Sequence, residues 1–113
     1  MSNDQNPTDE RPQAQMSREE IVKKLSSEAM EADWNMLKSH YQRGAVIVIS
    51  KDLDLFEAGA SIAMDEAKQL ESWMKEQLVY QATPQEAKAW EENPYKKSFQ
   101  FVVVQPYVLV QQA

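Results

Sequence analysis

The run Ala45-Val-Ile-Val-Ile49 constrains this chain more than any other stretch, because it is apolar throughout and four of its five residues are β-branched. A strand with one wet face alternates apolar and polar side chains, whereas a continuous run puts apolar groups on both faces. The run therefore predicts a strand buried on both sides and placed centrally in a sheet.

Helix starts are marked by side chains that satisfy the first free amides. In Ser17-Arg-Glu-Glu20 the hydroxyl can accept from the Glu20 amide while the Glu20 carboxylate reaches back, a capping box. Ile21, Val22, Leu25 and Ala29 follow at helical spacing, and Glu19–Lys23 and Glu20–Lys24 pair four apart on the wet side. A second short helix is expected after Asp33, with Trp34, Leu37 and Tyr41 on one face, stopping at Gly44 in a left-handed cap. Asp54-Leu-Phe-Glu57 reads as another capping box, opening one long helix that runs to about Gln77. Thr83-Pro-Gln-Glu86 opens a brief helix through Trp90, and Pro94 prevents its extension.

Leu78 to Ala82 alternates weakly and reads as an edge strand. From Phe99 to Val110 both alternating sets are apolar, so this segment also needs cover on two faces. Pro106 cannot donate to a ladder, and a single residue cannot close a hairpin, so one bent strand is expected. The alternative is that Tyr107 to Gln112 leaves the sheet and pairs with another subunit. The expected fold class is α+β: a small three- to four-stranded mixed sheet packed by one long helix and shorter helices. If the strands flanking the long helix are parallel, their crossover is right-handed. Residues 1–16, with two prolines and almost nothing apolar, read as a disordered tail before a single domain over residues 17–113.

From about Ser17 onward the chain resembles a bacterial family of domains of unknown function, number 2288. The resemblance rests on Trp34 with Leu37, the Arg43-Gly44 turn into AVIVI, and the DLDL opening of the long helix. Trp73, the Thr83–Trp90 segment and the terminal VVVQPYVLVQ carry the rest. Tyr107 stands where the resemblance would place tryptophan, a conservative change. The likeness implies a compact bacterial cytosolic domain and brings no activity, ligand or catalytic residue.

Composition excludes several classes of chemistry. The 113 residues hold no cysteine, which removes disulfide frameworks, thiolate catalysis and cysteine-ligated zinc. Two glycines leave no glycine-rich phosphate loop. The N-terminus lacks the basic start and apolar stretch of a signal peptide. No apolar run approaches the roughly 20 residues a membrane helix needs, so a cytoplasmic protein without membrane contact is expected. The net charge of −6, with scattered lysines and arginines, argues against nucleic acid.

Few residues remain that could carry chemistry. His40 is the only histidine and lies just off the apolar face of its helix, close to Arg43; its ordinary reading is a half-exposed boundary residue. Asp52, Asp54 and Glu57 follow the central strand, where ligands often bind, yet Asp54 and Glu57 are already explained as a cap. Glu66 is the carboxylate without a routine explanation. Winding the long helix at about 100° per residue puts Phe56, Ala60, Ala63, Ala67, Leu70 and Met74 on one stripe. Leu55, Ile62 and Trp73 form a second, with Glu66 and Gly59 between the two. A carboxylate there needs a rim position or a partner such as lysine, arginine or a tryptophan N–H. The first stripe is expected on the sheet and the second toward a partner. Trp34, Trp73, Trp90 and the four tyrosines read as core and interface packing, since no basic residues interleave with them.

These readings converge on a non-enzymatic interaction or assembly module, self-associating as a dimer, with no cofactor and no metal. Candidate interface residues are Leu55, Ile62, Trp73, Tyr107 and Leu109, and the candidate polar site is Glu66, His40 and Arg43. The alternative is a small hydrolase or ligand-binding domain using carboxylate chemistry around Glu66 or the Asp52–Glu57 loop.

Overall fold

The computed structural model describes residues 16–113. Ten elements follow in order: α1 (Arg18–Glu28), β1 (Met30–Ala32), α2 (Trp34–Gln42), β2 (Val46–Ile49), α3 (Leu55–Ala63), α4 (Ala67–Lys75), β3 (Val79–Gln81), α5 (Pro84–Trp90), β4 (Phe99–Val104) and β5 (Tyr107–Gln112). The expected tail over residues 1–16 lies outside the described residues except for Met16, which is buried in the core. Met16 and Ile21 occupy the two positions of a hydrophobic staple around the Ser17 cap and share one apolar cluster.

The α+β class holds, but the sheet has five strands, in the order β1-β4-β5-β2-β3. Only β2 and β5 pair in parallel, and the other neighbours are antiparallel. The strands flanking the helical segment after β2 are thus antiparallel neighbours, so the condition for a right-handed crossover there is not met. β2 is interior as its apolar run requires, and β3 is the expected edge.

Helices cover both faces, and the apolar strand runs divide between them. One cluster joins Ile21 and Leu25 of α1, Leu55, Ala58 and Ala60 of α3, and Ile49, Val79, Val102, Val104 and Leu109 of the sheet. The other joins Trp34 and Leu37 of α2 with Val46, Val48, Phe99, Val108 and Val110, with Trp90 of α5 packed against it. Successive strand residues alternate between clusters, as period-two geometry demands.

Three expectations are corrected. The single long helix is two, broken at Met64-Asp65-Glu66, where Asp65 takes a positive φ of 55°. The bent terminal strand is a hairpin: β4 and β5 pair from Phe99↔Gln112 to Val104↔Tyr107 around the two residues Gln105 and Pro106, joined by a cis peptide. Tyr107 to Gln112 therefore stays in the sheet, as its middle strand. Finally, β1 supplies a fifth strand that the sequence reading passed over.

The caps at Ser17 and Thr83 form complete capping boxes. Asp54 accepts from the Phe56 and Glu57 amides, but Glu57 does not reach back. Gly44 ends α2 at φ +75°, the left-handed conformation expected of it. Among the described residues no helix is long and apolar enough to cross a membrane.

Candidate functional site

The polar residues singled out in the sequence form two separate groups. At the helix break, Arg18 in the first turn of α1 is ion-paired with Glu66, donates to Ser61 Oγ at 2.6 Å, and meets Glu57 Oε1 at 2.7 Å. Glu66 thus has the arginine partner that its place among apolar residues calls for, and buried Ser61 is satisfied by the same guanidinium. With Asp54 accepting amide hydrogens at the start of α3, three carboxylates of this region serve structure. Among the described residues no group of three or more histidine or acidic side chains is placed to hold a metal ion.

His40 and Arg43 do meet, but far from Glu66 in the chain and without it. Arg43 Nη2 lies 2.8 Å from His40 Nδ1, and Arg43 Nη1 reaches the Pro106 carbonyl at 3.4 Å. A guanidinium has no acceptor, so Nδ1 is the accepting atom of this pair. The contact ties the end of α2 to the turn of the hairpin.

Beside that turn lies an apolar cleft of about 390 Å³. Its walls are Ile62 from α3, Leu70 and Met74 from α4, Ile47 and Val79 from the sheet, and Tyr107 at the start of β5. Met74 is 58% exposed and Tyr107 40%, large apolar surface left to solvent. Gln81 and Gly44 also line it, Gln81 Nε2 donating to the Gly44 carbonyl at 2.7 Å. Across β3, Tyr80 donates its hydroxyl to Glu86 at 2.7 Å. Burial, and then the hydrogen bond and negative charge of Glu86, push the Tyr80 phenol up to about 12.

The proposed interface residues therefore separate. Leu55 and Leu109 are core, 2% and 0% exposed, and cannot face a partner in this fold. Trp73 is half-buried against the first cluster. Only Ile62 and Tyr107 line the cleft. The stripe assigned to the sheet fails past the break: Ala67 and Met74 are exposed and Leu70 is half-buried, because α4 is reoriented at Asp65. Leu70, Met74 and Gln81 were missed as a set. The available signal was the uncharged run Gln77-Leu-Val-Tyr-Gln-Ala-Thr-Pro-Gln85 that follows α4 in a highly charged chain.

On the opposite face the aromatic residues pack as core. Trp90 lies 5.3 Å from Trp34 and 4.9 Å from Phe99, ring centre to ring centre, and Trp34 lies 5.4 Å from Tyr41. At their rim, Glu91 accepts from Lys38 at 3.0 Å and from Trp34 Nε1 at 2.8 Å. Those two bonds, Lys38 foremost, hold its carboxyl below the usual range.

No curated protein matches the chain. Among solved structures, the solution NMR structure of PA1075 from Pseudomonas aeruginosa is similar in fold, with a TM-score of 0.71 at 23% identity, over 99% of this chain and 93% of that one. The profile of a protein family of unknown function, DUF2288, matches residues 20–112. With nearly every described element inside that match, the chain belongs to the DUF2288 family.

Proposed function

We propose that the protein is an interaction module that self-associates through the surface around the α4–β3 cleft. The supporting observation is the cleft itself, where Leu70, Met74 and Tyr107 leave apolar surface exposed beside an uncharged strand. Exposed apolar surface of this kind is disfavoured in water and gains by being covered. The carboxylates that would serve a hydrolytic reading point elsewhere: Glu57 and Glu66 face Arg18, and Asp54 caps α3.

Native mass spectrometry of the purified chain across a concentration series tests this reading. A dimer is expected, weakened by Met74→Asp, which places a charge on an exposed cleft wall without entering the core. A protein that stays monomeric at every concentration, with or without a bound small molecule, overturns it.

A further inference from the structure

The edge strand β3 is open in a specific way. Ser50 N–H bonds the Leu78 carbonyl at 2.8 Å and Ala82 N–H bonds the Val46 carbonyl at 3.0 Å, with Val48 opposite Tyr80. Antiparallel pairs alternate between hydrogen-bonded and non-hydrogen-bonded positions. Tyr80, the Leu78 carbonyl and the Ala82 N–H therefore turn to β2, the Leu78 N–H bonds the Trp73 carbonyl of α4, and Val79 and Gln81 turn their backbone groups outward. β3 is the last strand on this side of the sheet, so these amides and carbonyls have no ladder partner among the described residues.

We propose that β3 pairs antiparallel with β3 of a second copy across a two-fold axis at Tyr80, joining two five-stranded sheets into one. This rests on the self-association reading above and names its surface. The spacing is self-complementary: the outward groups sit one residue on either side of Tyr80, so Val79 meets Gln81 of the copy and Gln81 meets its Val79. The two Tyr80 residues stand at the non-hydrogen-bonded position, where side chains approach most closely. An axis perpendicular to the sheet keeps both α4 helices on one face, so the exposed Met74 side chains flank the seam from both copies.

The residues within the strand favour this edge over the opposite one. Natural edges are guarded by charged residues or proline within the strand, and from Gln77 to Ala82 there is neither. The opposite edge is different. β1 pairs Met30 with Phe101 and Ala32 with Phe99, and Glu31, between Glu28 and Asp33, occupies its middle. Two copies meeting there would bring acidic side chains together in a chain of net charge −6.

The test uses the full chain with three variants at Gln81, followed by sedimentation equilibrium and amide exchange. Gln81→Pro removes an outward N–H without touching the ladder to β2, and Gln81→Lys places a charge at the seam. Gln81→Ala removes only the side-chain bond to Gly44. Both Gln81→Pro and Gln81→Lys are expected to raise the dimer dissociation constant about tenfold or more. Gln81→Ala should match the parent within about twofold. In the parent, the Val79 and Gln81 amides should gain protection as concentration rises through the dimerisation range. A dimer unchanged in folded Gln81→Pro and Gln81→Lys, with the Val79 and Gln81 amides of the parent exchanging freely at every concentration, overturns this interface and leaves self-association standing. A parent that is monomeric throughout overturns both.

Discussion

Arg18, at the first position of α1, is ion-paired with Glu66, the residue that opens α4 and lies 48 positions further along the chain. The guanidinium also bonds Glu57 and Ser61, so one side chain ties α1 to both ends of α3 and to the break that follows it. Arg18→Ala is expected to lower stability by about 1–2 kcal/mol, since it strands the buried Ser61 hydroxyl as well as breaking a half-exposed pair. Glu66→Gln, which keeps a hydrogen-bond acceptor, should cost less. Urea midpoints of the two single variants and the double variant check the order and the coupling.

Gly44 holds a positive φ, and a Cβ added there would lie 3.0 Å from Gln81 Nε2, the atom bonded to the Gly44 carbonyl. Gly44→Ala should therefore destabilise by about 1–2 kcal/mol despite the lower entropy of its unfolded chain. Denaturant unfolding gives the number. A stability equal to the parent would show that the end of α2 relaxes freely.

Tyr80 should hold its phenol proton well above the ordinary value. Its folded value is raised from 10.0 to about 12, so the folded state holds the proton after the unfolded chain has lost it. Tyr80 therefore contributes stability that is complete below pH 10 and is lost as pH rises through about 12. Ultraviolet titration of the native protein should show this late phenol, and Tyr80→Phe should remove it.

Glu91 gives the opposite sign. Its carboxyl is held low by Lys38 and Trp34, so its contribution is present above the unfolded value of 4.5 and fades as pH falls through the depressed folded value. Glu91→Gln should flatten the acid limb of the stability profile, and Trp34 fluorescence followed across the same acid range should lose its corresponding step.

The parts of this fold legible in the sequence are the parts decided locally. Ser17, Asp33, Asp54 and Thr83 each cap a helix within three residues of themselves, and the AVIVI run needs no neighbour to declare both its faces buried. The misreadings lie where distant residues decide. Met30-Glu-Ala32 has no strand character of its own and becomes β1 only by pairing with Phe99 to Phe101. Ala63 to Lys75 reads as uninterrupted helix because no glycine or proline marks the break, and the left-handed residue is Asp65. The Gln105-Pro106 turn carries no glycine to advertise a hairpin, and the isomer of a proline bond is not written in the residues beside it. Of the site, Ile62 and Tyr107 were visible as apolar residues in excess. Leu70 and Met74 were hidden, because their exposure depends on the turn at Asp65.

The order of the sheet gives the chain a particular history during synthesis. β5, made after the other four strands, lies between β4 and β2. Until it emerges from the ribosome, β1 with β4 and β2 with β3 are two fragments with no shared ladder. Both apolar clusters then lack residues that only β5 supplies, Leu109 on one face and Val108 and Val110 on the other. Cooperative closure of the sheet is thereby deferred to β5, the last of its five strands in chain order.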